Sequence, residues 1–359
     1  MAIAIYVTSI DAFSGKTSIC IGLGLRFKKD GFSIGYMKPL SFSAIQMEGR
    51  PVDQDSVFVG RLLGLPTPLE DLCPVALTPQ MVESILAGKE EKDHESILME
   101  AYRRASEGKD VMILEGGATL REGYLLNLST PYVSDILETR ELVVVRCPYV
   151  NERVIVDDIL AARARLGDSM LGIVLNSVPP SKLPFMEETI KPFLERRGIK
   201  VYAIIPEDRV LKSITVGEVL DTLGGEIICA GEAIGELVEE MMIGAMNVDS
   251  ALNFFRRKRN KLVITGGDRA DIQLAALETS TKCIILTGGL HPSPIIVSKA
   301  EELGIPMILT SYDTLTAVEL IEKAFREARF HQEKKITRIE EIIEERFDVE
   351  GLYRELGLR

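Results

Sequence analysis

The sequence predicts an α/β protein in which a parallel-sheet domain is followed by a second, smaller α/β domain. Short runs rich in Val, Ile and Leu alternate with longer amphipathic stretches, and this alternation is typical of βαβ units. The strand-like runs are mostly apolar along their whole length, as strands covered by helices on both faces usually are. The pattern restarts after Pro206–Arg209, and 359 residues are enough for two domains.

The first domain is predicted to span residues 1–209. Its aliphatic and β-branched runs predict strands at Ile3–Ser9, Ser33–Pro39, Val111–Glu115, Leu142–Cys147, Leu171–Asn176 and Val201–Ile205. Apolar residues spaced three or four positions apart predict helices at Lys16–Lys29, His94–Glu107, Glu152–Leu166 and Leu183–Arg197. Six strands with helices between them make one complete α/β domain.

The second domain is predicted to span residues 210–325. The same reasoning predicts strands at Glu226–Ala230, Lys261–Thr265, Cys283–Thr287 and Pro306–Thr310. It predicts helices at Thr215–Leu223, Ile234–Met242 and Val248–Arg257. A helical tail, residues 326–359, carries apolar residues at helical spacing, so we expect it to dock on another part of the protein. These residues are Ile339, Ile342, Ile343 and Phe347.

Composition excludes several classes of function. Lys and Arg number 42 against 54 Asp and Glu, and the resulting charge of −12 is spread over both halves. We therefore expect no nucleic-acid partner, because binding the phosphate backbone requires a basic surface. No apolar run is long enough to span a bilayer, so we expect no membrane segment and a cytoplasmic protein. The five cysteines are far apart and predict buried free thiols, and the three histidines lack the spacing of zinc ligands.

The first predicted strand leads directly into Ser9–Thr17 (SIDAFSGKT), and a helix follows. A strand, a loop ending in Gly-Lys-Thr and a helix form the arrangement that binds nucleotide phosphates through loop amides and the helix N-terminus. Lys16 can then reach the β- and γ-phosphate oxygens, and the hydroxyl of Thr17 can ligate Mg²⁺. The match is imperfect, because Ser9 stands where a first glycine is expected. The alternative is a chance Gly-Lys-Thr in a turn, which the position after the first strand disfavours.

The loop resembles the Gly-x-Asp-x-x-x-Gly-Lys-Thr loop of dethiobiotin synthetase. The matching residues are Asp11, Gly15, Lys16 and Thr17. Three further segments resemble that family in the same order: Gly35–Pro39, Val111–Gly117 with its Glu-Gly ending, and Gly172–Asn176 with its terminal asparagine. The resemblance covers roughly residues 1–206 and implies a P-loop-containing domain that uses ATP and Mg²⁺.

The resemblance also implies roles for individual residues. Nucleotide contacts are expected from Asp11, Ser14, Gly15, Lys16, Thr17, Ser18 and Asn176, the last reading the adenine edge. Magnesium ligands are expected at Thr17, Asp55 and Glu115, with Asp55 preferred to Asp53 at the start of the same helix. Lys16 and Lys38 are the expected catalytic residues, and Lys38 would hold an anionic intermediate such as a carbamate or an acyl phosphate.

The residues themselves are consistent with one site, because the carboxyl ends of parallel strands face a common crevice. Their oxygen atoms suit octahedral Mg²⁺ completed by waters. Each residue also has an ordinary alternative. For Asp55 the alternative is a helix-start carboxylate favoured by the helix dipole, and for Glu115 it is a surface residue, although an acid that closes a buried apolar strand favours the functional role. Lys38 is compatible with a surface lysine at a strand end, and Asn176 with a turn cap.

In the second domain, Val263–Gln273 (VITGGDRADIQ) resembles the signature of the DRTGG domain. That module accompanies dethiobiotin-synthetase-like domains at the front of some phosphotransacetylases, and the resemblance implies a regulatory or ligand-sensing role. Gly266 and Gly267 permit a tight turn from strand to helix, with Asp268 expected as the helix N-cap. The alternatives are a purely architectural turn and a small-ligand site with Arg269 as the anion contact.

Two functions are compatible with these features. The first is a nucleotide-sensing regulatory protein that acts on a partner metabolic enzyme. The second is an ATP-dependent ligase that phosphorylates a small carboxylate or a carbamate. We expect no acetyl transfer, because the chain ends before the catalytic domain of the phosphotransacetylases. We expect no glutamine amidotransferase activity either, because no cysteine stands in a Gly-x-Cys-x-Gly elbow. The resembling synthetases are dimers, which implies a homodimer.

Overall fold

The computed structural model describes residues 2–47, 49–89, 92–147, 152–328 and 330–358. The chain divides into two compact units. The first comprises Met1–Glu207 together with Phe330–Arg359, and the second comprises Asp208–Arg329. Met1 and Arg359, the outer limits of the predicted domain ranges, lie outside the described residues. Within the described part of the chain, no helix combines the length and the apolar character needed to cross a membrane.

The first unit is built on a six-stranded sheet in which every neighbouring pair is parallel. The strands of this unit are β1 (Ile3–Ser9), β2 (Ile34–Met37), β3 (Leu40–Ser41), β4 (Ile45–Met47), β5 (Arg50–Val52), β6 (Val75–Ala76), β7 (Val111–Glu115), β8 (Arg140–Arg146), β9 (Met170–Val178) and β10 (Val201–Pro206). The sheet order is β10-β9-β8-β1-β7-β2. Outside it, β3 pairs with β6 and β4 pairs with β5. The predicted α/β class with a parallel sheet is confirmed. The strand order reverses around β1, and ligands of open α/β sheets bind outside the carboxyl ends of strands at such a point.

Helices cover both faces of this sheet. They are α1 (Lys16–Lys29), α2 (Gln54–Leu62), α3 (Leu69–Leu72), α4 (Pro79–Leu86), α5 (His94–Ser106), α6 (Thr130–Ile136), α7 (Glu152–Leu166), α8 (Leu183–Phe185) and α9 (Lys191–Glu195). A single π-helical turn, Met186–Ile190, joins α8 to α9. On one face Ile155 and Ile159 of α7 pack against β8 and β9, and on the other Leu98 and Ala101 of α5 pack near β7. Burial on both faces explains why the strands are apolar throughout.

The second unit contains a smaller mixed sheet. The strands of this unit are β11 (Ile214–Thr215), β12 (Glu226–Cys229), β13 (Leu237–Val238), β14 (Glu240–Ile243), β15 (Lys261–Gly266), β16 (Thr281–Thr287) and β17 (Met307–Leu309), of which β11 and β13 form a separate antiparallel pair. Its helices are α10 (Arg209–Lys212), α11 (Val216–Leu223), α12 (Val248–Phe255), α13 (Ala270–Leu277), α14 (Pro294–Glu302) and α15 (Thr314–Arg326). The order is β12-β17-β16-β15-β14, with β12 antiparallel to β17 and the other pairs parallel.

The helix predicted at Ile234–Met242 is wrong. Gly231–Gly235 forms a short 3₁₀ turn, and Glu240–Ile243 is the edge strand β14 paired with β15. Met241 packs in the hydrophobic cluster on one face of the sheet and Met242 in the cluster on the other. Successive residues therefore face opposite sides, which is the period of a strand. The segment is too short for its composition to distinguish the two periods.

The C-terminal helices α16 (Glu333–Arg346) and α17 (Val349–Leu356) belong to the first unit. Helix α16 packs against α1 through buried isoleucines, as expected from their helical spacing. Gly22 of α1 permits this close approach, because a Cβ atom there would lie 2.6 Å from Cγ1 of Ile343. Tyr353 of α17 donates a hydrogen bond of 2.6 Å to Asp30 Oδ2 at the end of α1. The tail thus covers the helix that follows the Gly-Lys-Thr sequence.

Candidate functional site

The loop between β1 and α1 places its backbone for anion binding. Gly15 caps α1 with φ of 91° and ψ of 23°, a left-handed conformation that favours glycine. A Cβ atom at Gly15 would also collide with Nδ2 of Asn176. The first amides of α1 are therefore presented at the carboxyl edge of the sheet, where an anion can bind. Ser14 is buried, and its Oγ has no hydrogen-bond partner among the described residues. Asp11 is exposed on the same loop.

Lys16 is folded back onto the protein. Its Nζ donates hydrogen bonds of 2.8 Å to Ser9 Oγ and 3.2 Å to the carbonyl oxygen of Ala118. Burial lowers the pKa of the ammonium, while the nearby Glu115 carboxylate opposes that shift. The hydroxyl of Ser18 donates to the Gly15 carbonyl at 2.7 Å and so closes the first turn of α1. The residue that departs from the expected glycine, Ser9, is thus a direct partner of the loop lysine.

Glu115 ends strand β7 inside the site. Its Oε1 accepts a hydrogen bond of 2.7 Å from Thr17, and its Oε2 accepts one of 2.9 Å from the Tyr36 hydroxyl. Glu115 is 2% exposed, and this burial raises the pKa of its carboxyl even though Lys38 and Thr17 favour the charged form. The alternative of a surface glutamate is therefore excluded. No sequence pattern marks Tyr36 as a site residue, although it lies two residues before Lys38, a spacing that places both on one side of an extended chain.

Lys38 is paired with Asp53. Its Nζ lies 2.9 Å from Asp53 Oδ2, which also accepts a hydrogen bond of 2.7 Å from Ser41. Burial opposes the charged form of Lys38, but Glu115 and Asp53 outweigh burial and raise its pKa. Asp53 is also the N-cap of α2, because its Oδ1 accepts from the Ser56 amide at 2.8 Å. Lys38 is thus a buried cation, which excludes the surface-lysine alternative.

Asp55 lies in the first turn of α2 with 44% of its side chain exposed. Its charge contributes to raising the pKa of both Lys38 and Glu115, so it lies within electrostatic reach of the buried cluster. Its Oδ1 is 3.7 Å from Nε2 of His331. The two candidate acids at this helix therefore differ: Asp53 is buried and paired, whereas Asp55 is accessible.

Asn176 lies in β9, two residues before the end of the strand and beside the loop. Its Nδ2 donates a hydrogen bond of 2.8 Å to the carbonyl oxygen of Ser14, and its Oδ1 accepts one of 2.9 Å from the Ser177 amide. Ser177 has a positive φ of 56° within β9, where the pairing with β10 shifts register, so the side chain of Asn176 also supports this irregularity of the strand. In this structure the asparagine joins the phosphate loop to strand β9, two strands away from β1 in the sheet.

The oxygen atoms of the site fit Mg²⁺. Thr17 Oγ1 and Glu115 Oε1 lie together at 2.7 Å, and Asp55 is the nearby accessible carboxylate. Among the residues that the structure describes, no three His, Cys, Asp or Glu side chains form a group that could hold a metal alone. Mg²⁺ is usually bound by one or two carboxylates together with substrate phosphates and waters. The donor set thus suits a magnesium ion shared with a nucleotide.

All five cysteines are buried free thiols, as predicted. Burial raises the pKa of the Cys20 thiol well above its ordinary value, and the Glu115 carboxylate adds to the shift. Such thiols are poor nucleophiles. Cys20 therefore contributes packing beside the site.

The DRTGG-like turn of the second unit is tightly built. Gln273 Nε2 donates to the carbonyl oxygens of Gly266 and Gly267 at 2.9 and 3.1 Å, and a Cβ atom at Gly267 would collide with the Leu290 carbonyl. Asp268 is not the N-cap expected from the sequence, because α13 begins one residue later with Arg269 in the capping position. Arg269 is engaged with Asp271 through Nε and Nη2 at 2.9 and 3.0 Å. Tight packing and hydrogen bonding within the turn therefore explain why Gly266 and Gly267 are glycines.

A parallel sheet whose first strand leads through a left-handed glycine into a helix with Lys16 and Thr17 defines a P-loop α/β protein. The chain belongs to the AAA domain family, whose family model matches residues 4–215. A DRTGG domain matches residues 218–324. The inferred architecture, a dethiobiotin-synthetase-like P-loop domain followed by a DRTGG domain, is therefore confirmed.

Curated relatives share parts or all of this architecture. The ATP-dependent dethiobiotin synthetase of Methanococcus vannielii is 28% identical over 213 residues, covering 57% of this chain and 94% of the relative. A phosphate acetyltransferase of Pseudomonas aeruginosa is 25% identical over 369 residues, covering 96% of this chain. The chain spans 50% of the length of that acetyltransferase.

Among solved structures, the CBS and DRTGG domains of a Clostridium perfringens pyrophosphatase, complexed with the activator diadenosine tetraphosphate, show a limited similarity. The sequence identity is 22% and the TM-score is 0.29, and the match covers 41% of this chain and 70% of that chain.

Proposed function

We propose that the protein is a nucleotide-sensing regulatory protein that binds Mg·ATP at the P-loop of its first unit. The observation that carries the proposal is the pairing of Thr17 with Glu115 directly beside the buried ammonium of Lys16. On binding, Lys16 would exchange Ser9 Oγ and the Ala118 carbonyl for phosphate oxygens. The amides at the start of α1 would supply further donors to the same phosphates. Mg²⁺, held by Thr17, Glu115 and Asp55, would neutralise charge on the β- and γ-phosphates.

Two features support sensing as the main role. Lys16 has two protein partners that compete with phosphate, and one of them is the serine that replaces the expected glycine. The P-loop domain is also joined to a DRTGG domain, and the P. aeruginosa phosphate acetyltransferase aligns with 96% of this chain. We therefore propose that nucleotide occupancy is reported to a metabolic enzyme of the acyl-phosphate type, present as a separate protein or as a further domain.

An ATP-dependent ligase is the second candidate. Lys38 supports it, because a buried cation beside Glu115 would attract a carboxylate or carbamate to the phosphate site. The similarity to a dethiobiotin synthetase over the first unit points in the same direction. The acceptor would then be a small carboxylate or a carbamate formed from an amine. Catalysis would consist of positioning and of charge stabilisation by Lys16 and the loop amides.

Calorimetry of the full chain with ATP in excess Mg²⁺ tests both candidates. We expect binding by the wild type and its loss in Lys16→Ala, whereas the exposed Lys29→Ala is the matched control. Absence of binding to the wild type refutes both. Measurement of ATP hydrolysis with a panel of small carboxylates and diamines then separates them. Turnover stimulated by one compound favours the ligase, and binding without turnover favours the sensor.

We further propose a homodimer in the cytoplasm. The dimer rests on the resemblance to dimeric synthetases, and the compartment rests on five buried unpaired thiols, which suit a reducing environment. A monomeric mass by light scattering at micromolar concentration would contradict the first part.

A further inference from the structure

The chain re-enters the first unit beside the candidate magnesium ligand. The re-entry segment, Phe330–Gln332, follows the last residue of the second unit and leads into α16. Phe330 is buried, with 9% of its surface exposed. The next residue, His331, stacks on Phe58 with ring centroids 4.3 Å apart and an interplanar angle of 43°. Its Nε2 lies 3.7 Å from Asp55 Oδ1.

These contacts define one position for the histidine on α2. Asp55 and Phe58 are three residues apart and share one face of the helix, so the imidazole spans both. The aromatic contact fixes the ring, and the ring nitrogen then faces the carboxylate. Asp55 is 44% exposed, so burial alone does not restrict its side chain. Proteins commonly orient a carboxylate ligand by a neighbouring hydrogen-bonding group. Nε2 of His331 is buried and has no hydrogen-bond partner among the described residues, and at 3.7 Å from Asp55 Oδ1 it needs only a small approach to become such a group.

The same carboxylate acts on the buried cluster. The charge of Asp55 raises the pKa of Lys38 and of Glu115. Its electrostatic influence therefore reaches the place where the phosphates and Mg²⁺ are proposed to bind. A change in the orientation of Asp55 would therefore alter the metal-dependent part of nucleotide binding. The metal-independent part rests on Lys16 and the loop amides.

We propose that His331 is a positioning residue that holds Asp55 in the orientation required for Mg²⁺-dependent nucleotide binding. The re-entry segment thereby tunes the affinity of the first unit for Mg·ATP. This inference rests on the proposed function of the P-loop. By linkage, Mg·ATP favours the placement of the segment in which His331 faces Asp55.

Substitutions at His331 separate this role from a structural one. His331→Phe keeps an aromatic ring on Phe58 and removes the nitrogen, and His331→Ala removes both. His331→Gln supplies a polar group near Asp55 and serves as the conservative variant. The exposed His291 of the second unit, changed to alanine, is the matched control.

The readout is the ratio of the ATP dissociation constant in excess EDTA to that in excess Mg²⁺, measured by calorimetry on the full chain. We expect His331→Phe and His331→Ala to lower this ratio about tenfold, as loss of an orienting partner typically weakens metal binding. The value in EDTA should stay unchanged, and His331→Gln should recover part of the ratio. Melting temperatures identify a variant that has lost stability. If His331→Ala is unstable, His331→Phe tests the proposal, because it keeps the aromatic ring on Phe58.

The failures of the two proposals differ. A wild type that binds no ATP under either condition refutes the proposed function. A wild type whose affinity rises with Mg²⁺, together with His331→Phe showing the same rise, refutes the role of His331 alone. An equal loss of affinity with and without Mg²⁺ also overturns the inference, because it leaves the ratio unchanged.

Discussion

Ser9 restrains Lys16, and removing its hydroxyl should strengthen ATP binding. The Ser9 Oγ accepts a hydrogen bond of 2.8 Å from Lys16 Nζ, in a position that is 1% exposed. Lys16 has to release this partner before it can bind phosphate oxygens. A hydrogen bond to a charged group contributes about 1.5–3 kcal/mol. The Ala118 carbonyl still accepts a hydrogen bond from Lys16 at 3.2 Å, so we expect the lower end of this energy range. That energy corresponds to roughly a tenfold gain in affinity for ATP.

The measurement is calorimetric titration of ATP in excess Mg²⁺ into wild type, Ser9→Ala and Ser9→Gly. The alanine variant removes the hydroxyl without adding backbone freedom, so agreement between the two variants assigns the gain to the hydroxyl. Exposed Ser33→Ala serves as the control and should bind like the wild type. If Ser9→Ala binds ATP no more tightly than the wild type, Ser9 does not restrain Lys16 and this reasoning fails.

Three further predictions concern other parts of the structure. Lys38→Met should lower the free energy of unfolding by about 3 kcal/mol, because it leaves the buried Asp53 carboxylate without a cation and with only the Ser41 hydroxyl and the Ser56 amide as partners. Adding Asp53→Asn should restore most of that loss in urea titrations, and a double variant whose effects simply add contradicts this. Gly22→Val should cost about 1–3 kcal/mol by forcing α16 away from α1, and an unchanged urea midpoint would show that the contact is not tight. Burial lowers the pKa of Lys261 from 10.5 to about 8, so the unfolded chain binds more protons between these values and stability should rise with pH across that window. Lys261→Met should flatten the rise, and equal slopes for both proteins in urea titrations from pH 7.5 to 10.5 would refute the assignment.

The sheet and the phosphate loop of the first unit were predictable because their signals are local. Apolar runs such as Val111–Glu115 identify buried strands, and Gly15-Lys16-Thr17 after a strand identifies the loop. The short edge strand Glu240–Ile243 was misread because four residues do not separate a period of two from one of 3.6. Its assignment depends on pairing with β15, which sequence spacing does not reveal.

The partners within the candidate site depend on tertiary structure. The sequence identified Asp53 and Asp55 as helix-start acids, but their different roles come from burial against Lys38 and from exposure beside His331. Asn176 was predicted as a nucleotide contact, and its hydrogen bond to Ser14 joins residues 162 positions apart. No local pattern encodes such a contact. The same holds for the C-terminal helices, whose apolar spacing predicts docking but not the surface that receives them.

The attachment of the C-terminal helices to α1 has a consequence for how the protein folds. Tyr353 and Asp30, which are hydrogen-bonded, are 323 residues apart in the chain. During synthesis the P-loop helix therefore emerges long before the helices that cover it. Contacts of such large sequence separation form slowly, because loop closure has to precede them. Prior folding of the second unit would shorten the flexible chain that has to be closed and lower this entropic cost. We therefore expect the first unit to complete its core last, after the domain that follows it in sequence.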